Sequence, residues 1–192
     1  MEENEIGKPH KLLLVGGSAG SLNVMLKLLP LLRTDILLSI VVVLHRKNTF
    51  DTMLQDLFSS RTTLPVKEIE DKEVMQKGVI YLVPPDYHVL FEHNAILSLD
   101  YSEKVNYSRP SIDVAFESAA EVYGSNLITL LLSGASSDGV KGLIEAKRQK
   151  GITIVQDPDT AETPYMPMQA LRFMKPDLIL KPDEMSRYIN SL

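Results

Sequence analysis

The sequence predicts an α/β fold, a doubly wound and mainly parallel sheet with helices on both faces and a small antiparallel β-hairpin appendage. Three observations predict it. Apolar runs such as Ser39–Leu44 have the unbroken hydrophobicity of strands that are covered on both faces. These runs alternate with segments whose apolar residues recur at helical spacing. The middle of the chain instead has short runs between turn signals, which is typical of antiparallel strands.

The chain opens with two predicted pairs of strand and helix. Lys11–Val15, with four apolar residues after Lys11, is predicted to be a buried strand, and Ser21–Leu32 follows it as a helix with apolar residues three and four positions apart. Ser39–Leu44 is the second strand, and Phe50–Ser60 is the second helix. A strand, a glycine-rich turn and a helix therefore follow one another at the start of the predicted sheet.

The middle region changes character. Turn signals such as Lys77-Gly78 and Pro84-Pro85-Asp86 separate its strands. We expect the short runs between them to form a small antiparallel insertion or edge, made from Val66–Ile69, Val79–Val83, His88–Glu92 and Ala95–Leu99.

The second half returns to alternating helices and buried strands. Ser111–Tyr123 is a helix with Ser111 as its N-cap, and Asn126–Leu132 is the third buried strand. The remaining elements are a helix, a fourth parallel strand, a short helix and a last strand: Val140–Gln149, Ile152–Val155, Met168–Met174 and Leu178–Leu180.

Composition narrows the function classes. The 192 residues suit one domain, and 44% hydrophobic with 23% charged residues is typical of an ordinary globular protein. A net charge of −5 argues against a nucleic-acid partner, which requires a basic face. The chain has no cysteine, so no disulfide framework is expected, and we expect a cytoplasmic protein.

The sequence also predicts the boundaries of the domain. Residues 1–10 are expected to form a flexible N-terminal tail, too acidic for a signal peptide, and residues 11–192 a single catalytic domain. No membrane insertion is expected, because polar residues and a proline interrupt the leucine-rich span 24–44: Lys27, Pro30, Arg33 and Asp35.

Three parallel strands end in chemically useful side chains. The first strand leads to Ser18, the second to His45, and the third to a glycine-flanked loop that holds Asp138. Open α/β sheets place their chemistry beyond the carboxyl ends of the strands, so these residues are expected to meet at one edge. They are the types needed for a hydroxyl nucleophile, its general base and the carboxylate that orients that base.

Other interpretations exist for the glycine turn around Ser18. Such turns also cradle phosphate, so a nucleotide-binding domain is an alternative. The dinucleotide fingerprint needs three glycines in another register, and His45 stands where an acidic residue would bind a ribose. The other histidines follow no predicted parallel strand and are expected to be structural: His10, His88 and His93.

Six stretches in order carry a family resemblance: Val15–Ser21, Val43–His45, Val83–His88, Arg109–Asp113, Leu132–Gly139, and Val155–Pro158 with Met166-Pro167. From about Lys11 onward the chain resembles the catalytic domain of the chemotaxis protein-glutamate methylesterases (the CheB type), in their stand-alone form. The resemblance implies a doubly wound parallel sheet with an antiparallel hairpin. It also implies that Ser18 is the nucleophile, His45 its base and Asp138 the third member of a triad.

The implied reaction is hydrolysis of glutamate γ-methyl esters on the cytoplasmic helices of chemoreceptors, with release of methanol. Some relatives also deamidate receptor glutamines. No metal or organic cofactor is implied. Backbone N–H groups beside the nucleophile would stabilise the oxyanion, and Arg109 would either hold a substrate carboxylate or be a surface arginine. The oxyanion and substrate-adjacent residues are then Gly17, Ala19, Gly134 and Ala135 with Arg109.

Two residues depart from the commoner family pattern and bear on substrate preference. Ala19 stands where better-known members have threonine, and Ala135 where they have methionine. About ten residues precede the first strand, so neither a receiver domain nor control by phosphotransfer within the polypeptide is expected. A methyltransferase or a response regulator would be a further partner. An inactive receptor-binding module with the same fold is the alternative function.

Overall fold

The computed structural model describes residues 10–46 and 53–192; residues 1–9 of the predicted tail and the predicted helix start at Phe50 lie outside these ranges. The strands are β1 Leu12–Gly17, β2 Ser39–Leu44, β3 Val66–Glu68, β4 Glu73–Val74, β5 Ile80–Leu82, β6 His88–Glu92, β7 Ile96–Asp100, β8 Leu127–Leu131, β9 Ile152–Gln156 and β10 Leu178–Leu180. The helices are α1 Ser21–Leu28, α2 Met53–Ser59, α3 Ile112–Tyr123, α4 Val140–Arg148, α5 Tyr165–Phe173 and α6 Pro182–Ile189.

Seven parallel strands form the main sheet in the order β10-β9-β8-β1-β2-β5-β3. The first strand lies near the middle, where Val15 is paired with Val42 of β2 on one side and Leu130 of β8 on the other. Chain order therefore reverses at β1. Such a switch point opens a crevice beyond the carboxyl ends of the strands.

Side chains of β1 alternate between two apolar cores. Leu12 and Leu14 belong to the core that includes Phe116 of α3, together with residues of α4 and α5. Leu13 and Val15 belong to the other core, with residues of α1 and α6. Because β1 is fully buried on both faces, its sequence shows an apolar run and not an alternating pattern. The predicted doubly wound α/β fold is confirmed.

The antiparallel appendage is smaller than the sequence suggests. It consists of β4, β7 and β6, in that order. The runs Val66–Ile69 and Val79–Val83, predicted to belong to it, instead supply β3 and β5 of the parallel sheet. The prediction that these two runs belong to the appendage is wrong. A strand of three residues between turns has the same sequence pattern whether its partner strand is parallel or antiparallel. The pairing of Ile80 with Ile40 of β2 is a long-range contact.

Local chemistry moves some predicted boundaries. Helix α1 ends at Leu28, and Leu29–Leu31 forms a 3₁₀ turn because Pro30 has no N–H to continue the α-helical ladder. Helix α6 was not predicted, since its pattern is mostly polar, yet it buries Met185 and Ile189. Within residues 10–46 and 53–192, no helix combines the length and apolar character needed to cross a membrane.

Candidate active site

Three neighbouring strands bring the predicted residues to one edge of the sheet. Ser18 follows β1 directly, His45 follows β2 directly, and Asp138 lies in the loop between β8 and α4. These strands are adjacent in the order β8-β1-β2. The His45 ring and the Asp138 carboxylate form a hydrogen bond of 2.7 Å between Nε2 and Oδ2.

The Asp138 carboxylate is fully buried at the N-terminus of α3. Its oxygens accept hydrogen bonds from five groups in the described residues: His45 Nε2, Asn106 Nδ2, Ser111 Oγ and the backbone N–H groups of Ile112 and Asp113. Two of these donors are the first free N–H groups of the helix, which also presents the positive end of its dipole. The start of α3 is thus an anion site built around Asp138.

The hydrogen bonds determine the charge of Asp138. Burial raises the pKa of this carboxyl, but the hydrogen bonds from His45, Asn106 and the α3 backbone outweigh burial and hold its pKa at about 2. Asp138 is therefore ionised at neutral pH. An ionised acceptor at Nε2 keeps the proton of neutral His45 on that nitrogen and leaves the Nδ1 lone pair free.

A second buried carboxylate lies beside the first. Asp113 accepts hydrogen bonds from Asn106 Nδ2 and the Gly142 N–H, both at 2.9 Å. Burial and the negative charge of Asp138 raise the pKa of Asp113 to about 6, although the hydrogen bonds act in the opposite direction. Asn106 Nδ2 is within 2.9 Å of both Asp113 and Asp138 and so joins the two carboxylates.

The glycine turn fixes the position of Ser18. The Ser18 N–H donates to the Ser133 carbonyl at 2.9 Å. The Ser18 carbonyl accepts a hydrogen bond of 3.1 Å from the N–H of Ser21, the first residue of α1. Gly20 has a left-handed φ of 82°, and a Cβ on Gly17 would lie 2.5 Å from the Ser21 Cβ. The turn therefore depends on glycine at both positions.

Ser18 and His45 line the same pocket, a cavity of about 170 Å³ with apolar walls that include Leu22 and Leu44. Within the described ranges no hydrogen bond joins Ser18 Oγ to the His45 ring. Hydroxyl–imidazole contacts of this kind are often long before substrate binds and tighten afterwards. The pocket therefore brings the side chains of Ser18 and His45 to the same place.

The expected oxyanion donors differ in availability. The Gly134 N–H already donates to the Thr163 carbonyl at 3.0 Å, so this group is engaged within the protein. Gly134 instead provides space, because a Cβ there would lie 3.0 Å from the Ser18 Cβ. The N–H groups of Ala19 and Ala135 make no hydrogen bond in the described part of the chain.

A larger cavity of about 350 Å³ opens on the other side of His45 and Arg46. Lys104 and Arg109 contribute positive charge to its lining, and Asp86 contributes one negative charge. The Arg109 guanidinium stacks 3.9 Å from the centre of the Tyr101 ring and donates to two backbone carbonyls. The predicted substrate-side arginine is therefore fixed at the rim of this cavity.

Two of the histidines that are expected to be structural make contacts of that kind. His88 is fully buried, its Nδ1 accepts the Ser111 N–H, and its Nε2 contacts the Glu103 carbonyl at 3.0 Å. His10 contacts Ser39 Oγ. In residues 10–46 and 53–192, no group of three or more histidine, aspartate or glutamate side chains is arranged to hold a metal ion.

Sequence reasoning missed three residues of the site. Ser111 is the N-cap that the sequence predicts and also donates to Asp138, whereas Asp113 and Asn106 are not among the predicted site residues. The available signal was the predicted N-terminus of α3, because such a helix end attracts anions and Asp138 is the anion that occupies it. Nothing local in the sequence indicates that Asn106 reaches Asp138, 32 positions away.

Comparison with known proteins identifies the fold and the family. A solved structure, the CheB methylesterase catalytic domain of Thermotoga maritima, superposes with a TM-score of 0.91 at 30% identity, covering 95% of this chain and 98% of that one. The full Thermotoga maritima protein-glutamate methylesterase/protein-glutamine glutaminase is 33% identical over 88% of this chain, and the chain spans 50% of that protein.

A relative of similar length also exists. A protein of Leptospira interrogans serovar Copenhageni, provisionally named a protein-glutamate methylesterase/protein-glutamine glutaminase, is 40% identical over 89% of both sequences. The family model described as CheB methylesterase matches residues 13–189. The chain therefore belongs to the CheB methylesterase family.

Proposed function

We propose that this chain hydrolyses glutamate γ-methyl esters on chemoreceptor helices and releases methanol, using Ser18, His45 and Asp138. The observation that carries the proposal is the 2.7 Å hydrogen bond from His45 to a buried, ionised Asp138, in a pocket that His45 shares with Ser18. Membership of the methylesterase family supports the ester as substrate. Because such receptor helices are cytoplasmic, the proposal assigns the protein to the cytoplasm.

The orientation of His45 assigns a role to each ring nitrogen. Nε2 is bound to Asp138, so Nδ1 is the nitrogen that exchanges a proton with Ser18 Oγ. As Oγ attacks the ester carbonyl, Nδ1 takes its proton, and Asp138 stabilises the imidazolium that forms. The tetrahedral oxyanion would accept hydrogen bonds from the free N–H groups of Ala19 and Ala135, each worth about 3–4 kcal/mol.

The second half of the reaction reverses the proton transfers. The His45 imidazolium protonates the departing methoxide, methanol leaves, and a glutamyl ester of Ser18 remains. His45 then takes a proton from water as the water oxygen attacks that ester, and the imidazolium returns this proton to the departing Ser18 Oγ. The products are the glutamate side chain, which ionises to its carboxylate, and free Ser18 with neutral His45. A glutamine side chain in the same position would lose ammonia by the same steps.

The test is methanol release from a chemoreceptor methylated in vitro. The parent protein is expected to release methanol, and Ser18→Ala is expected to lose at least about a thousand-fold in rate, as removal of a triad member does. Ser191→Ala changes a serine at the other end of the chain and should keep the parent rate. An equal rate for Ser18→Ala and the parent would contradict the proposal, and receptor binding without any turnover would favour the inactive receptor-binding module.

A further inference from the structure

Asn106 occupies the tip of a tight turn. Val105 and Ser108 exchange backbone hydrogen bonds of 3.1 and 2.9 Å, and Asn106 and Tyr107 between them have φ values of 51° and 62°. Asparagine is one of the few side chains that tolerates this left-handed conformation. The turn is exposed, and the Tyr107 side chain is 99% accessible to solvent.

The Asn106 side chain nevertheless reaches into the protein. Its Nδ2 atom lies 2.9 Å from Oδ1 of Asp138 and 2.9 Å from Oδ2 of Asp113, both of which are buried. An amide nitrogen carries two hydrogens, so it can donate one to each carboxylate. Of the described groups that donate to Asp138, Asn106 is the one that comes from an exposed turn.

The position of this amide matters because two buried carboxylates repel each other. Their repulsion favours separation of Asp138 from Asp113, and so a displacement of Asp138 relative to His45. The Asn106 amide, which donates to both carboxylates, offsets this repulsion. It binds Oδ1 of Asp138, while Oδ2 of Asp138 keeps its hydrogen bond with His45. Charged hydrogen bonds of this type are about twice as strong as neutral ones.

We propose that Asn106 is a positioning residue for the triad, one that holds Asp138 in register with His45 and ties the exposed turn at residues 105–108 to the reaction. The inference rests on the proposed function of the triad. Tyr107 and Ser108 of the same turn line the 350 Å³ cavity next to His45. A substrate bound in that cavity would therefore contact the turn that carries Asn106, the residue that holds Asp138.

The test compares two replacements of Asn106. Asn106→Gly keeps the left-handed turn free of strain and removes the amide, whereas Asn106→Asp keeps the shape and replaces both donors by acceptors. We expect kcat to fall about ten-fold in Asn106→Gly, with KM within about two-fold, because a hydrogen bond to a charged group is lost. A larger fall in kcat is expected in Asn106→Asp.

A second readout needs no substrate. The proton between His45 Nε2 and Asp138 should give a low-field NMR resonance in the parent, and we expect it to broaden or move upfield in both variants. This signal reports on Asp138 even if the chain proves to have no esterase activity. It therefore separates failure of the positioning role from failure of the proposed function.

The matched control is Asn94→Gly. Asn94 also has a left-handed φ, 62°, in the turn between β6 and β7, and among the described residues no hydrogen bond joins it to the triad. Asn94→Gly should leave kcat and the low-field signal unchanged. A normal kcat and resonance in Asn106→Gly, or the same loss in Asn94→Gly, would overturn the positioning role.

Discussion

At the scale of single residues, the chemistry depends on how Asp138 is held. A buried carboxylate costs free energy unless hydrogen bonds satisfy it, and here backbone and side-chain donors do so. The same donors keep it ionised and aimed at His45. Sequence alone predicts that serine, histidine and aspartate follow parallel strands and meet at one edge of the sheet, because strand ends can be identified from apolar runs. The helix end that donates to Asp138 is also predictable as an anion site, but no local pattern relates the distant turn of Asn106 to Asp138.

The first prediction concerns the charge of Asp138. In Asp138→Asn, the new NH₂ group faces hydrogen-bond donors and cannot accept the His45 Nε2 proton. The His45 tautomer with its proton on Nε2 and a free lone pair on Nδ1 is then no longer favoured. We expect kcat for methanol release to fall by roughly 10³–10⁴. Thermal unfolding of the same variant checks that it folds. A folded Asp138→Asn with more than about a tenth of the parent rate would show that His45 works without this partner.

The second prediction concerns Asp113 and pH. Its pKa is raised to about 6 in the folded protein, above the ordinary 3.8, so the protonated form favours folding and that stability is lost as pH rises from about 4 through 6. Asp113→Asn removes this titration. We therefore expect the variant to be less stable relative to the parent at pH 4 than at pH 7.5.

Urea unfolding of both proteins at the two pH values measures that difference. The other titrating groups are common to both proteins and largely cancel in the comparison. If the stability difference is the same at pH 4 and pH 7.5, the folded pKa of Asp113 is not raised. Asp71→Asn, a change at an exposed aspartate, serves as the control.

At the scale of elements, turns determine where the side chains point. The loop after β8 ends at Gly139, whose φ of 96° allows the chain to reverse into α4 directly after Asp138. Sequence predicts such glycine turns well, because glycine clusters follow apolar runs. It predicts short strands poorly, since β3 and β5 have three residues each and their partners are distant in sequence. Their placement depends on tertiary pairing, of β5 with β2 and of β3 with β5.

The third prediction is that Gly139→Ala damages both stability and activity. A Cβ there would lie 2.7 Å from Leu131 Cδ1 and 2.8 Å from Ile112 Cγ2, in addition to the left-handed φ. We expect a loss of about 2–4 kcal/mol in the free energy of unfolding and a lower kcat, since the loop that carries Asp138 must shift.

Gly78→Ala is the matched control for that change. Gly78 also has a positive φ, 74°, but a Cβ there would meet one backbone oxygen, at 3.3 Å. It should cost about 1 kcal/mol, with kcat preserved. Equal losses in the two variants would mean that crowding around Gly139 does not matter.

At the scale of the whole molecule, charge is distributed unevenly. The chain has a net charge of −5, yet positive side chains surround the 350 Å³ cavity beside His45. Such a local positive field attracts an acidic partner while the rest of the surface repels it. Sequence gives the net charge but not this grouping, because Arg46 and Lys104 are brought together by the fold. The fold class itself is predictable, since apolar residues dominate the longer buried strands β1, β2, β8 and β9.

The fourth prediction follows from this field. We expect kcat/KM for an acidic receptor helix to fall as salt rises, and Lys104→Glu to lower kcat/KM several-fold at low salt through KM. Lys175→Glu makes the same charge change on the loop before β10 and should have a much smaller effect. If the two variants are equal, or salt has no effect, the cavity does not select acidic substrates.

The most direct test of the central claim, that Ser18 is a nucleophile activated by His45, is labelling by a phosphonate probe for active serines. The labelled peptide is identified by mass spectrometry in the parent, His45→Ala and Ser191→Ala. We predict one phosphonylated residue, Ser18, in the parent and in Ser191→Ala, and labelling at least about a hundred-fold slower in His45→Ala. Labelling of another serine, or equal labelling without His45, would contradict the account.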